Sequence, residues 1–516
     1  MLVYSYTMAT RFNRRRFLAA TGVGVTYLAL TGTVGCDLRG RVREARTPEV
    51  GSSVSAPKVW PTRNVSSSPS GGAWDFRSRP DLRPPTVAVN TRARGRARGH
   101  VFVAPKLGRG QHGPMIVDDL GRPVWFREGL YALDFKVQEY KGEPVLTWWE
   151  GKAKPRPSVG EYVILDGSYR EVKRVQAGNG YGGNQHDFRI TPQGTALLTV
   201  YNFVSLDLSY LGGPVAGTVI EGVAQEVDIE TGEVLFEWHS IDHVGVEESY
   251  VKRYYSGRLD YFHINSIDVD HDGNLLVSAR NTWTVYKVDR GSGEVIWRLG
   301  GKQSDFEMGK DTRTAWQHDA RRREDGTITI FDNGAGPQVH PQSRGIVIEL
   351  DEDNMIATLV REYTHPDELV STSQGNMQML PNGNVFVGWG SEPFASEFSH
   401  DGKLLFDARI PPDDDSYRAY RFPWKGRPAE SPAVAVDRAS DDEIALFASW
   451  NGATEVESWE VLAGSHPDQL EPLGAVPRNG FETAISARTT EPHVAVRARD
   501  SSGQTLGTSR TVKPGS

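Results

Sequence analysis

Cysteine is almost missing from this 516-residue chain, and the single one is Cys36. The body that follows it can form no internal disulfide, no thiolate metal site and no cysteine nucleophile, which removes several enzyme classes. An excess of positive charge is missing too. The formal net charge is −8, and the one basic run, Arg92, Arg94, Arg96 and Arg98, reads as a solvated loop, so nucleic acid is not an expected partner. No glycine loop ending in Lys-Ser or Lys-Thr occurs, which argues against a nucleotide donor held that way. Asp268, Asp270, Asp272 and Gly273 imitate the opening of a calcium loop. The position that needs a bidentate Glu is Ala279, so a hairpin turn is the better reading and no metal site or cofactor is expected.

What is present at the N-terminus is an address. The stretch from Asn13 through Arg14, Arg15 and Arg16 to Phe17 and Leu18 fits a twin-arginine export signal, with residues 17–34 as its apolar segment. Thr33-Val34-Gly35-Cys36 then resembles a lipobox, with Thr33 in place of the usual Leu, and would make Cys36 the lipidated new N-terminus. Removing residues 1–35 takes away Arg11, Arg14, Arg15 and Arg16 and no acid, so the mature protein is more acidic still. The expected location is the outer face of the cytoplasmic membrane, or outside the cell. Residues 37–73, with Gly51-Ser52-Ser53 and a Ser-rich run from Ser66 to Gly72, hold too little apolar content to pack and read as a flexible linker.

The body repeats itself. One hairpin pattern, an apolar strand, an Asp/Gly turn and a strand carrying Val, Trp or Phe, occurs at Met115–Phe126, Val163–Val172, Glu226–Phe236, Lys287–Trp297, Ile348–Ile356 and Glu397–Phe406. A second pattern alternates with it at Val137–Leu146, Arg189–Leu198, Ile267–Leu276, Arg322–Ile330 and Gln378–Phe386. Two hairpins make a four-stranded sheet, and six copies of the first hairpin predict an all-β fold, a six-bladed β-propeller over residues 74–428. Residues 429–516 change character, and short strands near Ala445, Val456 and His493 predict a small β-sandwich of the fibronectin III or Ig-like kind.

The second hairpin set gives the histidines a register. His186 precedes Gly194 by eight residues, His318 precedes Gly326 by eight, and Asn265 precedes Gly273 by eight with His263 two residues earlier. In the next copy Gly375 holds that position, followed by Asn376 and Gln378. A lone histidine is more often a buried ring capping a loop. Three at matched positions in successive blades predict a cluster at the propeller axis, and Arg280, at the end of the strand that starts near His263, is either its cationic donor or a blade-closing ion pair.

Gln185-His186-Asp187-Phe188, His263–Ile267, Ser278-Ala279-Arg280-Asn281 and Gln317-His318-Asp319 resemble the active-site segments of the bacterial arylsulfate sulfotransferases. Arg79–Pro85, Gly375–Gln378 and Tyr417–Arg421 are similar to segments of the actinobacterial and fungal subgroup, and the resemblance runs from Trp74 to the C-terminus. It implies a six-bladed propeller that moves a sulfuryl group from a phenolic sulfate to a phenol, without a nucleotide sulfate donor, through a sulfohistidine on His318. It further implies that His263 and Asn265 contact the transferred group, that Arg280 binds its oxygens and that His186 assists the phenolic oxygen; Asn376 and Gln378 are expected to bind substrate. The chain departs from the family's best-known members by lacking a cysteine pair and by adding the C-terminal sandwich, and no counterpart of their Lys/Thr pair or phenol-contacting Tyr was matched. Two other readings stand beside this one: an inactive propeller acting as a binding scaffold, and a quinoprotein, disfavoured because the hairpins lack a repeated Trp-docking pattern.

Overall fold

A computed structural model describes residues 58–62, 72–108, 110–129, 131–152, 159–252 and 257–515. The export signal, Cys36 and most of the expected linker lie outside the described residues. Residues 56–516 form one compact unit that is almost entirely β. Each hairpin read from the sequence is an antiparallel pair joined at the expected turn.

The turn of the second hairpin set shows why the register is so regular. In Arg322–Ile330 the turn is closed by Arg323 N donating to Thr327 O at 2.8 Å and Gly326 N donating to Arg323 O at 2.9 Å, with Gly326 at φ +87°. A residue without Cβ enters that left-handed region at no steric cost. The turns at Gly194, Gly273 and Gly383 repeat both bonds, so residues eight positions upstream fall at one structural level.

The strands form successive antiparallel sheets. Glu143–Lys152 sits between Tyr131–Tyr140 and Val159–Leu165, and a lone pairing of Gly160 with Gly183 joins this group to the next, Gly183–Ile190, Thr195–Leu206, Gly217–Asp228 and Val234–His239. Further sheets are Ile264–Val269 through Val295–Gly300, His318–Arg322 through Ile356–Thr364, and Asn376–Met379 through Leu404–Arg409, the last extended by Ala88–Arg92. The sheet of His100–Val103, Met115–Val117 and Pro123–Phe126 takes its remaining strand, Tyr420–Phe422, from far along the chain. Beyond it, two four-stranded sheets share one buried cluster that includes Ile444, Leu446, Trp459, Val461, Ile485 and Val496. One of these sheets contains Val59–Pro61, paired with Glu482–Arg488. The stretch expected to be a tether therefore carries one packed strand, made possible by the apolar Val59 and Trp60 in an otherwise polar segment.

A buried ion network ties the sheets to one another. The Arg418 side chain has no exposed surface, and its guanidinium meets Asp134 at 3.0 Å, Asp187 at 2.8 Å and Asp319 at 3.6 Å while donating to Asn265 O at 3.0 Å. Asp187 also pairs with Arg321 at 2.8 Å and accepts from Ile267 N at 2.9 Å, Lys136 pairs with Asp134 at 2.6 Å, and Asp319 accepts from Met377 N at 3.2 Å. Burial alone would raise the Asp187 pKa, but Arg321, Arg418 and Lys136 hold it well below the usual carboxylate range. Removing one partner from such a network strands the others. Arg418→Met should cost about 3–5 kcal/mol of stability in urea unfolding at neutral pH; a loss below about 1 kcal/mol would mean the carboxylates are satisfied without it.

Candidate active site

The strands that carry the histidines are irregular where the histidines sit. Pairing shifts between Gly183 and Phe188, between Ile264 and Ser266, and between His318 and Arg321, so each strand bulges at the matched level. A bulge re-aims the side chains beside it and is common next to active sites. Left-handed backbone at non-glycine residues gathers in the same place: His263 at φ +58°, Trp316 at +59°, Asp319 at +55° and Gln374 at +68°. Such conformations persist only where surrounding structure holds them.

His186 and His263 come together, ring centroids 4.9 Å apart at 75°. His318 is buried, and the charges of both Arg280 and His263 act on it. In all three rings Nδ1 is taken by an oxygen acceptor: Asn184 Oδ1 for His186, Asp260 Oδ2 at 2.6 Å for His263, and Asn333 Oδ1 at 2.6 Å for His318. The Asn333 amide is oriented independently, because its Nδ2 donates to Ser371 O and Gln374 O. An oxygen acceptor at Nδ1 requires the proton on Nδ1, so each neutral ring keeps its lone pair on Nε2. For His318 a second observation agrees, since Gln374 N donates to Nε2 at 3.3 Å.

Burial holds both His186 and His318 well below the ordinary histidine pKa. For His186 the charges of His263, His318, Arg418 and Arg280 add to it. For His318 Arg280 adds to it most, against a raising contribution from the Asn333 hydrogen bond. Arg280 stacks over Trp316, 4.8 Å from the ring centroid, and donates to Asn281 Oδ1 at 2.9 Å and Thr372 O at 3.1 Å, which fixes the plane of its fork and leaves further N–H groups. Thus His186, His263, His318 and Arg280 share one place.

The amides expected to bind substrate are engaged elsewhere. Asn376 donates to Ala419 O and accepts from Ala419 N, both at 2.9 Å, and Gln378 does the same with Arg421 at 3.0 and 2.8 Å. These two side chains copy a β-ladder and hold the segment 418–422 in place, each with its carbonyl and one of its two amide N–H groups on main chain. Asn265 donates to Gln317 O at 2.6 Å, and its Oδ1 is buried without a hydrogen-bond partner.

Several residues of the site escaped sequence reasoning. Tyr201 stacks on His186 at 5.2 Å, and Tyr417 meets the same ring edge-on at 5.8 Å with its hydroxyl buried and unpartnered. Asp260, Asn333 and Gln374 were missed as well. Tyr417 lies inside a quoted motif and Gln374 directly precedes Gly375, the fourth member of the eight-residue series, so both carried a signal; Asp260 and Asn333 carried none.

No curated protein matches the chain. Solved structures similar to it include a protein of unknown function from Bacteroides caccae, at 14% identity over 63% of this chain and 98% of that one with a TM-score of 0.38. A virginiamycin B lyase from Staphylococcus aureus matches at 7% over 78% and 99%, TM-score 0.32, and a protein from Lactobacillus plantarum at 10% over 81% and 97%, TM-score 0.30. The profile of the Arylsulfotransferase (ASST) family matches residues 136–410, which is more than half of the sequence and takes in every one of the histidines and the arginine just described. This chain belongs to the arylsulfotransferase family.

Proposed function

We propose that the chain is an aryl sulfotransferase that needs no nucleotide sulfate donor and works through a sulfohistidine on His318. The observation that carries this reading is the fixed tautomer of His318: a buried neutral ring, Nδ1–H held by Asn333, with its Nε2 lone pair in reach of the Arg280 charge. A neutral imidazole is a competent nucleophile, and a guanidinium fork suits the oxygens of a sulfuryl group.

In the first half-reaction Nε2 of His318 attacks sulfur, the N–S bond forms and the S–O bond to the aryl group breaks. The leaving oxygen takes the Nε2 proton of His263 in its imidazolium form, whose Nδ1–H is anchored on Asp260. In the second half an acceptor phenol gives a proton back to that ring as its oxygen attacks sulfur and the N–S bond breaks. His186, with its lone pair on Nε2, accepts a hydrogen bond from the phenolic hydroxyl, and Arg280 stabilises charge on the sulfuryl oxygens throughout. Asn376 and Gln378 serve as clamps on the segment 418–422.

The reading includes a finer architecture. The sheets from His100 to Arg409 become six blades of a propeller, closed by Tyr420–Phe422 on His100–Val103, and the two later sheets become a fibronectin III-like sandwich. The pairing of the chain's early and late strands and the ion network joining successive sheets support it. It also places the protein outside the cytoplasm, exported by the twin-arginine signal and anchored through Cys36.

Given an aryl sulfate and a phenol, the mature protein should release the donor phenol and carry a sulfuryl group on His318 in peptide mass spectra. His318→Ala should lose at least about 10³-fold in kcat/KM and Arg280→Met about 10²–10³-fold; a fully active His318→Ala variant would sink the mechanism, and no turnover with intact ligand binding would favour the scaffold reading. Because neutral His186 and His318 are the working forms and burial depresses the pKa of both, their protonation should not limit activity as pH falls through the ordinary histidine range, near 6.5, but only below it. An acid limb of kcat/KM centred at or above 6.5 that vanishes in His186→Gln would contradict this. For the anchor, Cys36→Ala should move the protein from the membrane fraction into the medium; unchanged membrane retention counts against lipidation there.

A further inference from the structure

Behind His318 lies a charged pair that the transfer mechanism does not use. Lys106, buried, follows the strand His100–Val103; Asp415 precedes the segment that holds Arg418. The Lys106 ammonium pairs with Asp415 Oδ1 and donates to Gln374 Oε1, and Gln374 Nε2 donates to Asp415 Oδ2 at 3.2 Å. The adjoining Asp414 caps this corner, accepting from Lys106 N at 2.8 Å and Leu107 N at 2.9 Å. Both ends of the Gln374 side chain are therefore pinned, while its main chain, at φ +68°, points N–H at His318 Nε2 and its carbonyl accepts from Asn333. One residue thus touches the acceptor face of His318 and the group that fixes its other nitrogen.

We propose that Lys106 and Asp415 are positioning residues for His318, acting through Gln374. The proposal rests on His318 as the sulfuryl carrier. In the resting protein the Gln374 N–H occupies the lone pair that must attack sulfur. When the N–S bond forms, that lone pair is consumed, and the same N–H faces the oxygens of the group just attached. The donor is useful only if its main chain stays put while its acceptor changes. A non-glycine residue in the left-handed region would relax toward ordinary backbone without a restraint, and the Lys106–Asp415 pair supplies one. Burial lowers the Lys106 pKa, and the charge of Asp415 beside it opposes that shift.

Two variants separate this role from folding. Gln374→Ala cuts the link and leaves the ion pair intact, and Lys106→Met combined with Asp415→Asn removes both charges together. In each, kcat and the single-turnover rate of His318 sulfation should fall on the order of 10²-fold with the donor KM nearly unchanged, as expected for a small displacement beside the reacting atom. The second readout needs no substrate. In protein labelled with 15N-histidine, the Nε2 resonance of His318, assigned by its loss in His318→Gln, should move downfield as it loses the Gln374 hydrogen bond. Wild-type sulfation rates in folded variants overturn the proposal, whether or not the resonance moves, and so does a slow rate with an unmoved resonance. If the wild-type protein is never sulfated on His318 yet the resonance moves in both variants, the restraint on the ring stands and the transferase reading falls.

Discussion

A guanidinium with no exposed surface can remain charged inside a protein only if carboxylates and carbonyls replace the water it gave up. Arg418 meets that condition with Asp134, Asp187 and the main chain of Asn265, and with Asp319 at longer range. Asp134 and Asp187 stand on separate strands of one sheet and Asn265 and Asp319 on two other sheets, so these strands cannot shift relative to one another without exposing an unpaired charge. The constraint works in both directions: Arg418 needs the sheets closed, and their inner strands, broken by bulges beside Asp134, Asp187 and Asp319, need a cation between them.

The same constraint prepares the chemistry. His186 and Asp187 are neighbours on one strand, as are His318 and Asp319, so the residues that anchor the network also set where the two rings stand. The positive charge of Arg418 then reaches both rings and, together with burial and Arg280, keeps them neutral. A neutral ring with its proton on Nδ1 offers a lone pair and no positive charge. Arg280, rather than these two rings, is left to meet an anionic group.

Much of this was legible in the sequence because one device repeats. A glycine turn with a fixed pair of hydrogen bonds recurs at Gly194, Gly273, Gly326 and Gly383, so counting back from it places His186, Asn265 and His318 at one level. What the count cannot give is the partner of each side chain. Alternation puts Asn376 and Gln378 on one face of their strand, which from sequence looks like a polar binding surface; the structure fills that face with the main chain of Ala419 and Arg421. Likewise Arg418 stood inside the motif Tyr417–Arg421, but its partner Asp134 lies 284 residues earlier, and no local pattern links them. Asn333 and Lys106 sit in stretches that read as ordinary strand ends and loops.

The sheet that begins with His100–Val103 is finished by Tyr420–Phe422, and the central cation arrives on the same short segment. Pairings within each hairpin are local and fast, whereas this contact spans most of the chain and must await the closure of a very long loop. The pocket is therefore complete only once this contact has formed. A polypeptide cut short before Tyr417 could build most of its strands and still hold Asp134, Asp187 and Asp319 facing one another with too little to separate them, its histidines present and its architecture open.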